Sequence, residues 1–345
     1  MSLLVDIKKS YGKFFLNVKF RQNGDVLGLL GASGCGKTLT LRAIAGIIKP
    51  DCGCIVLNGK TLFDSEKGIN IPPQKRNVGY LFQNYALFPN MNVKQNIACG
   101  LRHIKDKKMR SEILCDMLDK MQLTEQRWLF PAQLSGGQQQ RTALARILVG
   151  EPEILLLDEP FSALDSYLKG QMLLELREVL AQFGKDTLLV THNRSEAYQL
   201  CANLAVMDSG KICDMGCTKE IFANPGTITS AVLTGCKNIA AAKKVGETTV
   251  YVPDWGVTFE TGRDVGENVA AIGIRAHYFG GDIAENAFPV NAMQTVEEPF
   301  EWTINFLYET QDRTAKPVMW KIPKAEGMKF PPKLGVLPEN IHPLC

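Results

Sequence analysis

Residues 31–38 read Gly-Ala-Ser-Gly-Cys-Gly-Lys-Thr and fit the pattern G-x-x-x-x-G-K-[ST]. In such a loop the glycines let backbone N–H groups converge on phosphate oxygens, and the dipole of a following helix favours the same anion. The Lys37 ammonium would reach the β- and γ-phosphates of a nucleotide, and the Thr38 hydroxyl would bind Mg²⁺. The candidate phosphate contacts are Gly31, Ser33, Gly34, Cys35, Gly36, Lys37 and Thr38.

Two carboxylates directly follow the apolar run 154–157. Because a carboxylate at the end of a strand can hold Mg²⁺, Asp158 is a candidate metal ligand together with Thr38. The Glu159 carboxylate beside it can orient and deprotonate an attacking water molecule. These residue types in this order predict hydrolysis of a nucleoside triphosphate.

Two other polar residues follow strand-like segments. His192 closes the segment 187–191. A lone histidine is usually structural, but ligands bind at the carboxyl edge of open parallel sheets, where His192 would lie. Gln83 ends the segment 78–82 and offers a neutral amide to Mg²⁺ or to water. Both are candidate catalytic residues, and Gln83 is a further candidate metal ligand.

A second glycine-rich run, Leu-Ser-Gly-Gly-Gln at 134–138, precedes an Ala/Leu-rich helical pattern. Its serine can cap that helix, and the paired glycines let a phosphate approach the backbone at the positive end of the helix dipole. Taken alone, the run would be interpreted as an ordinary capped helix start. The candidate phosphate contacts in it are Ser135, Gly136, Gly137 and Gln138.

The segments that must position these residues alternate between strand and helix. The apolar run 26–30 precedes the phosphate loop and helical spacing follows it, while residues 91–150 are mostly helical in pattern. Such alternation predicts a largely parallel sheet covered on both faces. Near Leu233 the helical periodicity fades and short β-rich segments begin, so we expect a nucleotide-binding domain at 1–233 and a β-rich domain at 234–345.

Composition excludes several classes of protein. The net charge of +3 is too small to indicate nucleic acid as a partner. The chain has no signal segment at its start and no stretch of about 18 apolar residues, so we expect a cytosolic protein with reduced thiols. Cys52 and Cys54 lack a second Cys/His pair at suitable spacing, which disfavours a metal site there.

In their order and spacing these motifs resemble the nucleotide-binding subunit of ATP-binding cassette (ABC) transporters, over residues 1 to about 233. The resemblance implies an α/β P-loop NTPase cassette with a mostly parallel sheet and a helical subdomain at about 84–150. It identifies residues 31–38 as Walker A, 134–138 as the signature and 162–165 as the D-loop. Walker B ends at Asp158, Glu159 is the catalytic base, Gln83 is the Q-loop glutamine and His192 is the switch histidine.

The same resemblance implies ATP and Mg²⁺ as ligands and a head-to-tail homodimer. Each ATP would lie between the Walker A loop of one copy and the signature of the other. In the family an aromatic residue upstream of Walker A stacks on adenine, and Tyr11 in Lys-Ser-Tyr-Gly at 9–12 resembles it. Only 19 residues separate Tyr11 from Gly31, so a tyrosine that simply belongs to a strand is the alternative.

Two segments resemble importers in particular. The run 85–93 after Gln83 is similar to importer cassettes that serve an extracytoplasmic binding protein, and 55–69, with its Asp…Glu-Lys-Gly-Ile, resembles the molybdate importer ATPase. Sulfate and tungstate importers are close relatives of that group. We therefore expect membrane permease subunits as partners, an oxyanion-binding protein as an indirect one, and a peripheral position at the cytoplasmic face of the membrane.

The C-terminal part resembles the small OB/TOBE-like β-barrel of such importers, with 272–277 as its Ile-Arg strand. Arg275 and His277 could bind an anion, although a structural or dimer-stabilising domain is the alternative. Two other functions compete with transport. One is a soluble ABC ATPase acting on ribosomes or DNA, and the other is an oxyanion-responsive regulator.

Overall fold

The computed structural model describes residues 3–162, 166–312, 314–324 and 330–345. The chain divides into two compact units, Met1–Thr218 and Lys219–Cys345. The eight described helices are α1 Lys37–Ala45, α2 Val93–Ala98, α3 Lys107–Lys120, α4 Gly136–Leu148, α5 Ser166–Phe183, α6 Arg194–Leu200, α7 Thr218–Ala223 and α8 Ile228–Leu233.

Two sheets form the first unit. Its strands are β1 Leu3–Tyr11, β2 Phe14–Gln22, β3 Val26–Gly31, β4 Cys52–Leu57, β5 Lys60–Asp64, β6 Ile69–Asn70, β7 Val78–Leu81, β8 Ile154–Asp158, β9 Thr187–Thr191, β10 Asn203–Asp208 and β11 Lys211–Cys217. The six-stranded sheet has the order β11-β10-β3-β9-β8-β7, and the five-stranded sheet has the order β2-β1-β4-β5-β6. In the larger sheet only β11 runs antiparallel to its neighbour.

The central strands are apolar throughout because both of their faces are covered. Every residue of β8 and β9 is buried. Ile154 and Leu156 pack into one hydrophobic cluster with residues of α1, and Leu155 and Leu157 pack into another with residues of α5. This alternation is the pattern of a buried parallel strand. Helices α2, α3 and α4 share a third cluster.

The second unit is mainly β. Its strands are β12 Asn238–Ala241, β13 Lys243–Lys244, β14 Thr249–Val252, β15 Val257–Glu260, β16 Ala271–Ile274, β17 Phe279–Gly280, β18 Phe288–Glu297, β19 Glu301–Tyr308, β20 Val318–Pro323, β21 Lys333–Val336 and β22 Ile341–Leu344. They form three sheets with the orders β12-β16-β22, β13-β14-β15 and β17-β21-β18-β19-β20.

Helix α8 belongs to this second unit, although the sequence places a domain boundary near residue 233. Ala231 of α8 packs against Ala271 and Leu344. The Arg275 guanidinium at the end of β16 donates 2.8 Å to the Thr234 carbonyl just after α8, and it also bonds the Phe222 carbonyl. These contacts explain why the compact units divide before the helix.

Candidate active site

Four neighbouring parallel strands, β3, β9, β8 and β7, point their carboxyl ends to one edge of the large sheet. The phosphate loop leaves β3 there, and His192 follows β9. Asp158 and Glu159 end β8, and Gln83 lies in the turn after β7. Topology therefore gathers residues from four distant parts of the chain at the edge where ligands bind in open α/β sheets.

The phosphate loop closes around its own lysine. The Lys37 side chain is buried, and its Nζ donates to the carbonyl oxygens of Gly31 and Ala32, both at 2.8 Å. Gly34 and Gly36 have φ values of 81° and 106°, which L side chains rarely adopt. The loop thus has a defined shape, with the ammonium held where it can exchange carbonyl oxygens for phosphate oxygens.

Cys35 turns its side chain away from the solvent. It is only 6% exposed, and its Sγ lies 3.8 Å from the Lys37 Nζ. Burial raises the pKa of this thiol, although the neighbouring ammonium opposes that shift. A side chain at Gly31 would collide with the sulfur, since a Cβ built there lies 2.5 Å from it. Cys35 therefore offers backbone rather than thiol to a phosphate.

Asp158 and Thr38 are brought into direct contact. The Thr38 Oγ1 donates 2.8 Å to Oδ1 of Asp158, and the Tyr80 hydroxyl donates 2.8 Å to the other carboxylate oxygen. Burial and the Asp158 charge raise the pKa of Tyr80, which keeps it a donor. A hydroxyl and a carboxylate are oxygen donors of the kind Mg²⁺ prefers, so this pair fits the ion that the sequence predicts there.

Glu159 and His192 form a second pair. The Nδ1 of His192 lies 3.1 Å from Oε1 of Glu159, with side-chain exposures of 56% and 19%. Glu159 has φ of 47°, a left-handed conformation that is uncommon for a side chain of this size. Its backbone N–H donates 3.0 Å to the Val190 carbonyl of β9, which holds the bend at the end of β8. The carboxylate and the imidazole can thus share a proton at the sheet edge.

Gln83 and Ser162, the described part of the predicted D-loop, make fewer contacts with the other site residues. Gln83 is exposed, and its side chain has no hydrogen bond within the described ranges. The Ser162 hydroxyl donates 3.0 Å to the Glu159 carbonyl. The rest of the predicted D-loop, residues 163–165, lies outside the described residues.

The second glycine-rich run begins helix α4. Ser135 is its N-cap: the serine Oγ accepts 3.3 Å from the Gln138 N–H, and the Gln138 Oε1 accepts 2.9 Å from the Ser135 N–H. Because they lie in the first turn of α4, the N–H groups of Gly136 and Gly137 have no helical acceptor. Gly137 packs closely against Met172, since a Cβ built there would lie 2.6 Å from the methionine sulfur, which would have to move.

A cavity of about 520 Å³ lies beside the phosphate loop. Its lining includes the loop residues Ser33, Gly34 and Cys35 and two aromatic residues of β2, Phe14 and Phe15. The Phe14 ring covers Gly36, where a Cβ would lie 3.0 Å from its Cζ. Tyr11 is not part of this lining; it ends β1 with 64% of its surface exposed.

The two anion-ligand candidates of the second unit are already paired. Arg275 bonds the Thr234 and Phe222 carbonyls described above. The Nε2 of His277 lies 3.2 Å from a Glu301 carboxylate oxygen. Both side chains therefore have a local structural role.

The family model described as "ABC transporter" matches residues 16–162. The chain is 39% identical over 262 residues to the Fe(3+) ions import ATP-binding protein FbpC of Haemophilus influenzae, which covers 75% of this chain and 73% of that protein. It is 41% identical over 231 residues to the probable sulfate/thiosulfate import ATP-binding protein CysA of Chlorella vulgaris, covering 65% and 95%. This chain belongs to the ABC family of transporter ATP-binding subunits, of the import type.

Another relative extends well beyond the segment that aligns with this ABC subunit. It is 44% identical over 224 residues to the spermidine/putrescine import ATP-binding protein PotA of Nitratidesulfovibrio vulgaris, covering 64% of this chain. The match spans about three fifths of that relative, 59% of its length.

Two solved structures share the cassette fold. One is cbiO1 of Clostridium perfringens, part of the ABC transporter complex cbiONQ, with a TM-score of 0.55, 28% identity and coverage of 64% of this chain and 90% of that one. The other is a dimeric cassette in a post-hydrolysis state bound to ADP and Pi, with a TM-score of 0.53, 26% identity and coverage of 63% and 99%. The predicted P-loop cassette with a C-terminal β-rich part is thereby confirmed. Among the described residues of this ABC subunit, no helix is long and apolar enough to cross a bilayer.

Proposed function

We propose that this ABC subunit hydrolyses ATP and couples that reaction to uptake of an oxyanion, molybdate in the first place. The observation that carries the hydrolytic part is the placement of two pairs at one sheet edge, Thr38 with Asp158 and Glu159 with His192. The proposed partners are a second copy of the chain, membrane permease subunits that hold it at the cytoplasmic face, and indirectly an oxyanion-binding protein.

The chain's own residues divide the hydrolytic work. Lys37 gives up the Gly31 and Ala32 carbonyls and binds the β- and γ-phosphates, while the loop N–H groups bind the same oxygens. Thr38 and Asp158 would hold Mg²⁺, which neutralises phosphate charge when it is bound. Glu159 accepts the proton of the attacking water, and His192 donates a hydrogen bond toward the γ-phosphate.

Two groups of aromatic residues are candidates for stacking on adenine. Phe14 and Phe15 line the cavity beside the phosphate loop, so this geometry favours them over Tyr11 as the surface on which the base stacks. Tyr11 would need the β1–β2 turn to bend toward the loop. Substituting each of the three by alanine and measuring ATP affinity separates these sources.

The signature run supports the proposed dimer. Ser135 caps α4 and leaves the Gly136 and Gly137 N–H groups at the positive end of a thirteen-residue helix. In a head-to-tail pair these groups would bind the γ-phosphate held by the partner's phosphate loop. The solved cassette described as dimeric and bound to ADP and Pi is consistent with that arrangement.

The choice of cargo rests on residues 55–69 and not on the named relatives. In the structure this run contains the β4–β5 hairpin and a turn in which Asp64 Oδ1 accepts 3.0 Å bonds from the Glu66 and Lys67 N–H groups. The relatives are named for polyamines, Fe(3+) and sulfate. Sulfate is the second candidate cargo, because the sulfate/thiosulfate relative is covered over 95% of its length.

The hydrolytic role is tested with Glu159→Gln. We expect the variant to bind ATP as the parent does, to form an ATP-dependent dimer, and to hydrolyse ATP at least about a hundredfold more slowly because it lacks a general base. Glu153→Gln, at the opposite end of β8, is the matched control and should keep the parent rate. Rapid turnover by Glu159→Gln would refute the assignment. Uptake of labelled molybdate against sulfate by the reconstituted importer decides the cargo.

A further inference from the structure

A buried carboxylate lies directly behind the predicted switch histidine. Glu196, in the first turn of α6, is 4% exposed. Its Oε1 lies 2.5 Å from the Nζ of Lys169 in α5, and its Oε2 accepts a hydrogen bond from the Thr191 hydroxyl at the end of β9. A buried carboxylate with two charged or polar partners is a fixed point in a structure, because breaking such a pair leaves an uncompensated charge.

The Thr191 hydroxyl connects Glu196 to the backbone on both sides of His192. While it donates to Glu196, its oxygen accepts 2.9 Å from the Asn193 N–H. The residues on both sides of His192 are therefore tied to one hydroxyl, which is tied to Glu196. The Asn193 side chain completes the turn by capping α6, accepting 2.8 Å from the Ser195 N–H.

Lys169 joins this arrangement to another part of the site. It lies in the first turn of α5, the helix that follows the predicted D-loop. The Lys169 side chain is 27% exposed, whereas the Glu196 side chain is only 5% exposed. A displacement of the start of α5 would thus reach the His192 backbone through one ion pair and one hydroxyl.

We propose that Glu196, held by Lys169, is a positioning residue that fixes the His192 imidazole toward Glu159 through the Thr191 hydroxyl. The proposal rests on the hydrolytic function proposed above, in which His192 and Glu159 act together. The contacts of Glu196 are with Lys169 and Thr191, and its role is to hold the residues around His192. It orients the imidazole, and it links that orientation to the position of the start of α5.

The test compares Lys169→Met, Glu196→Gln and Thr191→Val in the full chain. Each removes one link of the arrangement at nearly constant volume. Lys120→Met is the matched control, because Lys120 also pairs with a carboxylate, Asp116 at 2.8 Å, but on the exposed face of α3. If Glu196→Gln does not fold, Lys169→Met still answers the question, because its side chain is partly exposed.

The first readout is the imidazole itself in nucleotide-free protein at one fixed pH. The chain contains four histidines, so the ring signals of carbon-labelled histidine can be resolved and His192 assigned with His192→Gln. In the parent, Glu159→Gln should shift the His192 signal, because the two side chains are in contact. In the three variants we expect this response to fall by about half or more, and in Lys120→Met to stay unchanged.

The second readout separates positioning from binding. We expect kcat to fall roughly tenfold in the three variants while the ATP dissociation constant changes less than about threefold. An undiminished His192 response to Glu159→Gln in all three would overturn the positioning role, as would an unchanged kcat. If instead the parent hydrolyses ATP no faster than Glu159→Gln, the proposed function fails, and the histidine signals alone decide the positioning.

Discussion

Cys35 shows how a residue inside a motif can be present for its backbone alone. Its thiol is buried against Gly31, and burial raises its pKa, so little thiolate exists at neutral pH. Cys52 on β4, in contrast, is exposed. The two cysteines should therefore be alkylated at different rates, since the thiolate is the nucleophile.

We expect iodoacetamide at pH 7 to modify Cys52 at least about tenfold faster than Cys35, because Cys52 is exposed, whereas Cys35 is buried and burial raises the pKa of its thiol. Raising the pH should speed the reaction at Cys35, and Mg-ATP should slow it. Peptide mass spectrometry over a time course measures both rates. Equal rates at the two positions would contradict the buried placement of the Cys35 sulfur.

Tyr80 is a functional candidate that the motifs do not reveal. The contact between Thr38 and Asp158 is predicted by the sequence, because both belong to recognised patterns. Tyr80 reads only as a strand residue, and its contact with Asp158 arises from the pairing of β7 with β8. Its one sequence signal is a tyrosine within a short strand-like segment, where a half-buried hydroxyl requires a partner.

Tyr80→Phe removes one of the two hydrogen bonds that orient the Asp158 carboxylate. A hydrogen bond to a charged group contributes about 1.5 kcal/mol or more, so we expect the Mg²⁺ concentration needed for half-maximal ATPase to rise roughly tenfold. Tyr85→Phe is the matched control: its hydroxyl is also buried but donates 3.1 Å to the Pro160 carbonyl. A Mg²⁺ requirement that rises equally in both variants would show that Tyr80 acts through general stability.

At the scale of elements, α1 is held at both of its ends. Its N-terminus carries the phosphate loop, and its C-terminus is bonded by the buried Arg76. The Arg76 Nη1 donates 2.9 Å and 2.8 Å to the Ala43 and Ile44 carbonyls, and its Nε donates 2.7 Å to the Ile71 carbonyl. Burial lowers the pKa of this guanidinium, yet a cation at a helix C-terminus is favoured by the helix dipole.

Arg76→Met should lower the free energy of unfolding of the first unit by about 2–3 kcal/mol, because it leaves buried carbonyls of α1 without donors. Lys75→Met, at the exposed neighbouring position, should change it by no more than about 0.5 kcal/mol. Urea denaturation followed by the helical signal in circular dichroism compares the two, because most helices belong to the first unit. Similar values for both variants would mean that water replaces the guanidinium at the end of α1.

The sequence predicts the larger sheet better than the smaller one. Fully apolar runs such as 154–157 predict buried parallel strands, and β8 and β9 are entirely buried. The sheet order β2-β1-β4-β5-β6 could not be predicted, because the alternation of β1 and β2 shows which face of each strand is buried but not which strands pair. Nor does any pattern reveal that α8 is part of the β-rich unit. The contact of Ala231 with Leu344 joins residues that are far apart in the chain.

At the scale of the whole molecule, the second unit carries a buried histidine, whereas His103 and His192 of the first unit are exposed. His342 in β22 is 2% exposed, and neither of its ring nitrogens has a hydrogen-bond partner among the described residues. Burial lowers its pKa to about 4, and Arg263 and Arg275 add to the shift. The folded unit therefore keeps His342 neutral at pH values where the unfolded chain binds a proton.

The sign of the resulting pH dependence follows directly. Between an unfolded pKa of about 6.5 and the folded value, the unfolded state binds more protons, so stability falls as the pH falls. The lowering to about 4 corresponds to a loss of about 3 kcal/mol over that range. We expect thermal unfolding of the second unit to show this slope between pH 7 and 4.5. His342→Gln should flatten it, and the exposed His277→Gln should not.

The carbonyl bonds of Lys37 affect how its substitution must be interpreted. The Gly31 and Ala32 carbonyl oxygens accept from the ammonium the hydrogen bonds that phosphate oxygens would accept when ATP binds, and these bonds keep the loop curved. ATP therefore enters a preorganised loop by an exchange of partners, which limits the entropy lost on binding. Lys37→Ala would remove both the contact with phosphate and the two carbonyl bonds that stabilise the loop. The affinity lost by that variant would overstate the contact between lysine and phosphate, and only a comparison of loop order in the two empty proteins separates the two contributions.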